Sequence, residues 1–197
     1  MGFKRVVQII GYPIIRIFYR IRISGKEHFL KEGPFVLCPN HTSNMDVPVL
    51  YLSVNRPLNF MAKEELFRFK PFGWIISKLG AFPVKRESGD LQAFKSAMKV
   101  LKNGEVLAVF PQGKRTHEID VEEAKAGAVL IASKARVPIV PVSITGGYRL
   151  GCRINIHFGE PYVFPEDLPK KLSNETIREI AEEIMLRIKR LSEETDE

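Results

Sequence analysis

The sequence predicts a single α/β domain, with a largely buried mixed sheet flanked by helices. Short apolar runs alternate along the chain with longer segments of helical periodicity, which is typical of strands and helices that follow one another. The chain has 197 residues, of which 45% are hydrophobic, and this is enough for one core. It contains no internal repeat, low-complexity tract or long linker. These patterns leave the order of the strands open.

The first 22 residues are set apart by an amphipathic pattern without acidic residues. At about 100° per residue, the basic side chains gather on one arc and most of the apolar ones on the other. The uncharged run, residues 6–15, is about half of the ~20 residues that a membrane span requires. We therefore expect a membrane-interface helix, or a helix pair divided at Pro13, in residues 1–22, followed by the folded domain in residues 23–197; a helix packed on the core is the alternative. The basic residues on the arc are Lys4, Arg5, Arg16 and Arg20.

The remaining elements can be predicted in chain order. Strands are expected at residues 19–23, 35–38, 59–62, 81–84, 105–110, 139–144 and 153–158. Helices are expected at residues 46–53, between Asp90 and Asn103, at 125–136 and from Ser173 onward. Trp74 lies in a mixed aromatic and apolar segment, and we expect it in the core. The alternation in residues 153–158 predicts an outer strand.

Residues 40–46 (NHTSNMD) place an imidazole and a carboxylate five positions apart. On a regular helix His41 and Asp46 would point to different faces, so the pair needs a bend. Pro39 disfavours helix before the motif, and Pro48 is tolerated only in a first helical turn, so a helix begins within the motif. Asp46 can then reach back to His41, fix its tautomer and leave the other ring nitrogen free to take a proton. The motif predicts a base with its orienting carboxylate; a helix cap with an incidental histidine is the alternative.

No nucleophile accompanies this pair. The chain has no Gly-x-Ser-x-Gly elbow, and neither Cys38 nor Cys152 lies in a recognisable catalytic setting. The attacking group is therefore expected to come from a substrate. A metal-dependent hydrolase with His41 and Asp46 as ligands is a competing hypothesis. The other histidines show no ligand spacing such as His-Glu-x-x-His, so we predict no metal.

Basic residues follow two of the predicted strands. Lys85 and Arg86 come directly after one strand, and Lys114 and Arg115 come after another. If these strands end at the edge that holds the His-x4-Asp motif, the cluster suits a phosphate, because a guanidinium fork matches phosphate oxygens. Gly113 would let the backbone approach closely. A solvated loop surface is the alternative to this anion site.

Four blocks in order resemble those of the glycerolipid acyltransferase family, most closely its 1-acylglycerol-3-phosphate acyltransferases. Residues 40–46 are similar to the His-x4-Asp block, and residues 80–86 (GAFPVKR) to a second block that ends in Arg. Residues 110–116 (FPQGKRT) resemble the Phe-Pro-Glu-Gly-Thr-Arg-Ser block, and residues 137–142 (VPIVPV) resemble the fourth. The resemblance covers residues 21–161. Four ordered blocks are far more specific than any one of them.

The resemblance implies a transferase of phospholipid synthesis. It would move a fatty acyl group from a thioester of acyl carrier protein or coenzyme A to the 2-hydroxyl of lysophosphatidate (1-acylglycerol-3-phosphate), which gives phosphatidate. His41 would take the hydroxyl proton and Asp46 would orient the ring. Neither a cofactor nor a metal is implied, and residues 23–197 would be the acyltransferase domain.

The resemblance also implies binding residues. Arg86, Gly113 and Arg115 would bind the acceptor, with Lys85 and Lys114 beside them at its phosphate, and Pro141 would be structural or contact the acyl chain. Two residues depart from the family pattern, because Gln112 stands where Glu is usual and Lys114 where Thr is usual. Gln112 is still expected to contact the acceptor. Since Gln lacks the charge of Glu, another lysophospholipid or a polyol acceptor is the alternative.

Composition points to anionic partners. The formal charge of +7 and the pI near 9.4 favour a lipid surface, an acidic carrier protein or nucleic acid, and the resemblance implies the first two rather than nucleic acid. The two cysteines form no Cys-x-x-Cys pair and no signal peptide is recognised, so we expect a protein bound peripherally to the cytoplasmic face of the cell membrane. A non-enzymatic basic protein that binds membranes or nucleic acid is the competing class, and it predicts that His41 is dispensable.

Overall fold

The computed structural model describes residues 2–85, 90–116, 118–169 and 171–194, and these form an α/β domain with one seven-stranded mixed sheet. The strands are β1 (Arg20–Ser24), β2 (Phe35–Pro39), β3 (Leu58–Lys63), β4 (Ala81–Val84), β5 (Val106–Ala108), β6 (Ile139–Gly146) and β7 (Arg153–Phe158). The helices are α1 (Phe3–Phe18), α2 (Asp46–Ser53), α3 (Lys70–Leu79), α4 (Leu91–Lys102), α5 (Gly127–Ala135) and α6 (Asn174–Glu193), with short 3-10 helices at Lys26–His28 and Glu64–Phe67. The predicted single α/β domain with a mixed sheet is confirmed.

The strands lie in the order β1-β7-β6-β2-β5-β3-β4. From β6 to β4 all neighbours are parallel, whereas β7 runs antiparallel to β6 and β1 runs parallel to β7. The prediction that β7 is an outer strand is therefore wrong, because β1 covers its outer edge. Alternate residues of β7 are buried. The alternation in the sequence therefore arises because one face of the sheet is partly exposed at β7, and it does not indicate that β7 lies at the edge.

Helices cover both faces of the sheet, and β2 runs through the middle of the resulting core. Phe35 and Leu37 pack on the side of α1 and α2, whereas Val36 and Cys38 pack on the side of α4, α5 and α6. All five residues of β2 are buried. A strand buried on both faces reads as a continuous apolar run, which is how this segment was predicted as a strand.

The carboxyl ends of five neighbouring parallel strands form one edge of the sheet, with the end of β2 between those of β6 and β5. Asn40 extends β2 toward β6: its Nδ2 donates to the carbonyl of Ile144 at 2.9 Å, and its Oδ1 accepts from the N–H of Ile144 at 2.6 Å. Loops at such an edge are the usual place for a site in α/β proteins. The chain that follows Asn40 therefore starts from a fixed position.

Helix α1 is one continuous helix that includes Pro13, so the alternative of a helix pair divided at Pro13 is wrong. Its inner face holds the body through polar contacts: Lys4 Nζ lies 2.8 Å from Asn59 Oδ1, and the buried Gln8 donates to the carbonyl of Tyr51 at 2.8 Å. The predicted boundary between residues 1–22 and 23–197 falls inside β1, and this division stays a prediction. None of the helices in the described part of the chain combines the length and apolar character needed to span a bilayer.

Many apolar side chains of α1 point away from the body, whereas Ile15 is buried in the core. The exposed ones are Phe3, Val6, Ile9, Ile10, Ile14, Ile17 and Phe18. Trp74 on α3 is 62% exposed, so the prediction that it lies in the core is wrong. Helix α3 packs through Gly73, where an added Cβ would lie 2.9 Å from the Cα of Phe67. This close contact turns the neighbouring Trp74 outward.

Candidate active site

His41 and Asp46 form a hydrogen-bonded pair at the carboxyl end of β2. The Nδ1 atom of His41 lies 2.8 Å from Oδ2 of Asp46. The His41 side chain is 14% exposed and that of Asp46 is completely buried. Because an ionised carboxylate can only accept, Nδ1 carries the proton and the unshared pair is on Nε2. Asp46 therefore contacts the ring of His41 from the start of α2, as the sequence predicted.

The carboxylate of Asp46 is saturated with donors. Besides His41, Oδ2 accepts from the backbone N–H groups of Thr42 at 2.7 Å and Ser43 at 2.8 Å, and the hydroxyl of Tyr148 donates to Oδ1. Burial raises the pKa of this carboxyl, but the hydrogen bonds from His41, the Ser43 N–H, Tyr148 and the Thr42 N–H outweigh it. The pKa of Asp46 lies below its ordinary value, and the group is ionised at neutral pH.

Local sequence explains why the chain turns at this point. Pro39 ends β2, and α2 begins at Asp46 after a tight turn in which the Asp46 N–H bonds the carbonyl of Ser43 at 3.1 Å. The residue that caps the helix is Met45, whose side chain makes no cap hydrogen bond. Asp46 instead turns its carboxylate back onto the N–H groups of the turn, where a negative charge is favoured at the start of a helix. Pro48 fits because it lies within the first helical turn.

The ring of His41 is held from a second side by the turn after β5. Phe110 stacks on it with ring centroids 4.1 Å apart and an interplanar angle of 28°. The backbone N–H of Thr116 donates to the carbonyl of His41 at 2.8 Å. Asp46 fixes the ring edge and Phe110 fixes the ring plane, so the direction of Nε2 is determined by contacts from two separate chain segments.

The turn after β5 carries cationic side chains. Gly113 has a φ of +66°, which favours glycine, and an added Cβ would lie 2.9 Å from Nζ at the flexible end of Lys125. Lys114 forms an ion pair with Glu123 at 2.5 Å, with more than half of its side chain exposed. Arg115 is exposed and makes no hydrogen bond or ion pair to the described residues.

Gln112 lies inside this turn and not on its surface. Its amide Nε2 donates to the hydroxyl of Thr116 at 2.7 Å and to the carbonyl of Glu118 at 3.2 Å. Its Oε1 is buried and has no partner among the described residues. The side chain thus braces the loop that contacts His41, and the expectation that it contacts an acceptor stays a prediction.

The other predicted residues are distributed more widely. Lys85 follows β4, which is three strand positions from β2, or about 14 Å at the usual strand spacing. Arg86 lies outside the described residues. Pro141 is buried in β6 opposite Cys38, and its carbonyl accepts from the N–H of Gly159 at 2.9 Å. The structure brings the 113–115 turn next to His41 and leaves Lys85 at the far side of the same edge.

A cavity of about 780 Å³ opens beside the pair. Thr42 and Ser43 line it from the turn that binds Asp46, Tyr148 from the loop after β6, and Lys189 and Glu193 from the end of α6. Both polar and charged groups face this space. Within residues 2–85, 90–116, 118–169 and 171–194, no three His, Cys, Asp or Glu side chains are grouped as a metal ion would require.

Sequence reasoning missed three residues of this site. Tyr148 contacts Asp46 from 102 positions further along the chain, and no local pattern could have indicated it. Phe110 and Lys125 both lie at the turn after β5. Phe110 was visible only as the first residue of the third block, without a role.

Several known proteins are similar to this chain in sequence. A family model described as "Acyltransferase" matches residues 20–145. The 1-acyl-sn-glycerol-3-phosphate acyltransferase of Bacillus subtilis is 33% identical over 184 residues, which covers 90% of each chain. The protein of the same name from Streptococcus pneumoniae is 38% identical over 170 residues, which covers 83% of this chain and 62% of that one.

A solved structure shares the fold. The crystal structure of the 1-acyl-sn-glycerophosphate acyltransferase PlsC from Thermotoga maritima superposes with a TM-score of 0.75 at 29% identity, and the match covers 98% of this chain and 78% of that one. The resemblance that the four sequence blocks indicated is confirmed. With its His-Asp pair, its α/β sheet and these relatives, the chain belongs to the acyltransferase family.

Proposed function

We propose that the protein transfers a fatty acyl group from an acyl thioester to the 2-hydroxyl of 1-acylglycerol-3-phosphate and so forms phosphatidate. The observation that carries this proposal is the 2.8 Å contact between the buried Asp46 and Nδ1 of His41, which leaves Nε2 as the base. No protein nucleophile accompanies the pair among the described residues, so a substrate hydroxyl is the attacking group. The relatives from B. subtilis and S. pneumoniae are named for this activity.

In this mechanism Nε2 of His41 removes the proton of the acceptor hydroxyl as its oxygen attacks the thioester carbonyl. Asp46 stabilises the imidazolium that forms, because its ionised carboxylate is buried beside Nδ1. The tetrahedral intermediate collapses with cleavage of the carbon–sulfur bond. The imidazolium then returns the proton to the departing thiolate, so that His41 ends the cycle neutral.

The acceptor phosphate is assigned to the turn after β5. In lysophosphatidate the phosphate is on the glycerol carbon next to the one with the reacting hydroxyl, so its site must adjoin His41. The backbone contact from Thr116 to His41 supports this assignment, because it holds the 113–115 turn next to His41. Arg115 offers an exposed guanidinium, whereas Lys114 must share its charge with Glu123. Gly113 would contribute through the bend of the backbone, because its own N–H donates to the carbonyl of Phe110 at 3.0 Å.

Lys85, Arg86 and Gln112 are proposed with smaller parts. Lys85 is too far along the edge to reach the same phosphate oxygens as Arg115 and would act through the field at the edge of the sheet. Arg86 is assigned to the acceptor by the second sequence block alone. Gln112 would act on the acceptor through the loop that it braces, and Pro141 through the shape of β6.

We also propose that the protein binds to the cytoplasmic face of the membrane as a peripheral protein. Helix α1 presents an apolar row to solvent, of which Ile17 is 78% exposed, and α3 with the residue before it adds Phe69, Phe72, Trp74 and Ile75. Large exposed apolar surfaces of this kind mark interaction sites. A lysolipid acceptor resides in a bilayer, so we assign the partner of this apolar surface as the lipid surface. Lys4 and Arg5 hold α1 to the body, so the apolar row carries the contact.

Sedimentation with anionic vesicles tests this membrane contact. Replacing Ile10, Ile14 and Ile17 by Asn should move most of the protein to the supernatant, because each loses about 1.5–3 kcal/mol of apolar transfer. Deleting α1 would not be informative, since Ile15 belongs to the core. Val163→Asn with Leu186→Asn alters exposed apolar residues elsewhere and should leave sedimentation unchanged. Unchanged binding of the α1 variant would refute the proposed surface.

An acyl-transfer assay tests the activity. The purified protein is given acyl carrier protein and coenzyme A thioesters in turn, each with lysophosphatidate, other lysophospholipids and monoacylglycerol. We expect phosphatidate from lysophosphatidate, and the donor that supports the higher kcat/KM is the physiological class. Preferred transfer to a different head group or a polyol would favour the acceptor alternative that Gln112 raised. Absence of transfer to any acceptor, with the protein folded and vesicle-bound, would favour a non-enzymatic membrane-binding protein.

A further inference from the structure

We propose that Tyr148 is a positioning residue for the acyl-transfer reaction: it holds the carboxylate of Asp46 and thereby sets the ring of His41. This inference rests on the proposed role of His41 as the base. Tyr148 lies in the loop between β6 and β7, and neither the four sequence blocks nor the matched family model, which ends at residue 145, includes it.

The two oxygens of Asp46 are held in different ways. Oδ2 has three donors, namely Nδ1 of His41 and the N–H groups of Thr42 and Ser43. Oδ1 has the hydroxyl of Tyr148, and its other contact is the Thr42 hydroxyl at 3.4 Å, which is long for a hydrogen bond between oxygens. Without Tyr148 a completely buried carboxylate oxygen would keep only this weak partner. A buried polar atom that loses its partner costs free energy, and the carboxylate plane would be less constrained.

Tyr148 is itself fixed from behind. Its ring meets that of Tyr19 edge to face, with centroids 6.0 Å apart and an interplanar angle of 82°. The loop is tied to the end of α1 by the N–H of Gly151, which donates to the carbonyl of Phe18 at 2.8 Å. Gly146 starts the loop with a φ of +102°, and an added Cβ would lie 2.2 Å from the carbonyl oxygen of Arg153. The phenol is therefore delivered to Asp46 by a restrained segment and not by a mobile surface loop.

The protonation state of Tyr148 suits a donor. Burial, the charge of Asp46 and the hydrogen bond to Asp46 all raise the pKa of Tyr148 above its ordinary value. The phenol therefore stays protonated at neutral pH. As a donor it stabilises the ionised form of Asp46. Its hydroxyl donates to Asp46 and forms no hydrogen bond with His41, so it acts on the base through the carboxylate.

The consequence for pH dependence follows from this contact. A donor to the carboxylate disfavours proton uptake by the His41–Asp46 pair, so its removal should move the acidic limb of the kcat/KM profile to higher pH. Other titratable groups near the pair are Tyr19 behind Tyr148, Glu118, Lys189 and Glu193 across the cavity, and Lys114, Arg115, Glu123 and Lys125 in or beside the turn that contacts His41. These groups are unchanged in a Tyr148→Phe protein, so the shift of the limb reports the lost hydroxyl.

The first experiment compares Tyr148→Phe with the wild-type enzyme. We expect kcat to fall about tenfold, since a hydrogen bond to a charged group is lost, with little change in KM for lysophosphatidate. The acidic limb should shift upward in pH. Tyr162→Phe is the matched control, because it removes a half-buried phenol that packs on Phe164 away from the pair, and it should behave as wild type. Wild-type kcat and pH profile in Tyr148→Phe would overturn the proposal.

A double-mutant cycle separates positioning from a general effect on the fold. If Tyr148 acts only through Asp46, then Tyr148→Phe should cause no further loss in an Asp46→Asn background. Equal losses in both backgrounds would overturn the proposal. The cycle also distinguishes the two hypotheses: normal turnover in His41→Ala refutes the proposed chemistry, whereas an inactive His41→Ala with a fully active Tyr148→Phe refutes only the role of Tyr148.

A measurement on unsubstituted Tyr148 keeps the inference testable if Tyr148→Phe does not fold. Proton NMR of the wild-type protein should show a downfield hydroxyl proton of Tyr148 that exchanges slowly with water. This signal should move upfield in Asp46→Asn, because the charged acceptor is gone. A wild-type spectrum in which the Tyr148 hydroxyl exchanges as fast as that of an exposed tyrosine would refute the contact.

Discussion

The turns after β2 and after β5 lie side by side at the same edge of the sheet, yet they are built in opposite ways. In the turn after β2, Asp46 is completely buried and accepts from His41, Tyr148 and two backbone N–H groups. In the turn after β5, Lys114 and Arg115 extend into solvent from a backbone that bends at Gly113. One turn is held by convergent contacts, and the other presents long charged side chains with few.

This difference matches two chemical tasks. A base must be held in one orientation before the substrate arrives, because proton transfer depends on distance and direction. A phosphate carries its charge over several oxygens, and a long cationic side chain can settle on it after binding. The two turns are not independent, since Phe110 and Thr116 of the second turn contact His41 of the first. Substitutions in the first turn should therefore cause the largest losses of turnover with every acceptor, and those in the second should cause smaller losses that depend on the acceptor.

The largest effect is expected in the first turn. His41→Ala should lower kcat by about 10³- to 10⁴-fold, because it removes the base itself. Asp46→Asn should cost about a hundredfold, since the base remains but loses its orienting charge. Steady-state acyl transfer to lysophosphatidate, with circular dichroism to verify folding, provides the measurement. A folded His41→Ala protein with near-normal turnover would show that His41 is not the base. The proposed difference between the two turns would then be wrong as well.

An intermediate effect, dependent on the acceptor, is expected in the second turn. If Arg115 binds the phosphate as proposed, Arg115→Ala should remove charge-assisted hydrogen bonds worth roughly 1.5–3 kcal/mol, hence about ten- to a hundredfold in kcat/KM for lysophosphatidate. The slow transfer to monoacylglycerol, which has no phosphate, should hardly change. Arg115→Lys should recover only part of the loss, because an ammonium lacks the guanidinium fork. The same pattern is expected for Arg86→Ala.

The matched control for these arginines is Lys134→Ala, which removes an exposed charge from α5 far along the helix from this turn. It should leave kcat/KM unchanged for both acceptors, and a loss in this variant would reveal a general effect of net charge. Equal losses of Arg115→Ala on lysophosphatidate and monoacylglycerol would mean that this turn supports the thioester or the fold. The proposal that the turn after β5 binds the acceptor phosphate would then be wrong.

The smallest effect concerns stability and pH. The pKa of Asp46 is lowered from 3.8 in the folded protein, so the ionised carboxylate stabilises the fold above that pH, and this contribution is lost as pH falls through the folded-state pKa. Urea unfolding at neutral pH should therefore show wild type more stable than Asp46→Asn by about 1–3 kcal/mol. The gap should narrow below pH 3.8. A gap that stays constant with pH would show that packing, and not the charge, carries the difference; Asp167→Asn, at an exposed site, serves as the reference.

The sequence predicted the first turn well because its constraints are local. Pro39 and Pro48 limit the backbone on either side of the motif, and the predicted helix at 46–53 matches α2 residue for residue. The strand at 35–38 was recognisable because a strand buried on both faces must be apolar throughout. The family could be identified for a similar reason, since its blocks are short runs around such turns.

The sequence by itself determined most of the elements, though not α3, as well as the reach of Asp46 to His41 and the cationic nature of the turn after β5. Only the tertiary structure decided that β1 and not β7 forms the edge, that Trp74 and the apolar row of α1 face outward, and that Tyr148 closes the cage around Asp46. The physical reason is range. Backbone sterics and side-chain periodicity act within a few residues, whereas the neighbour of a strand, or a partner 102 positions away, depends on how all elements share one core.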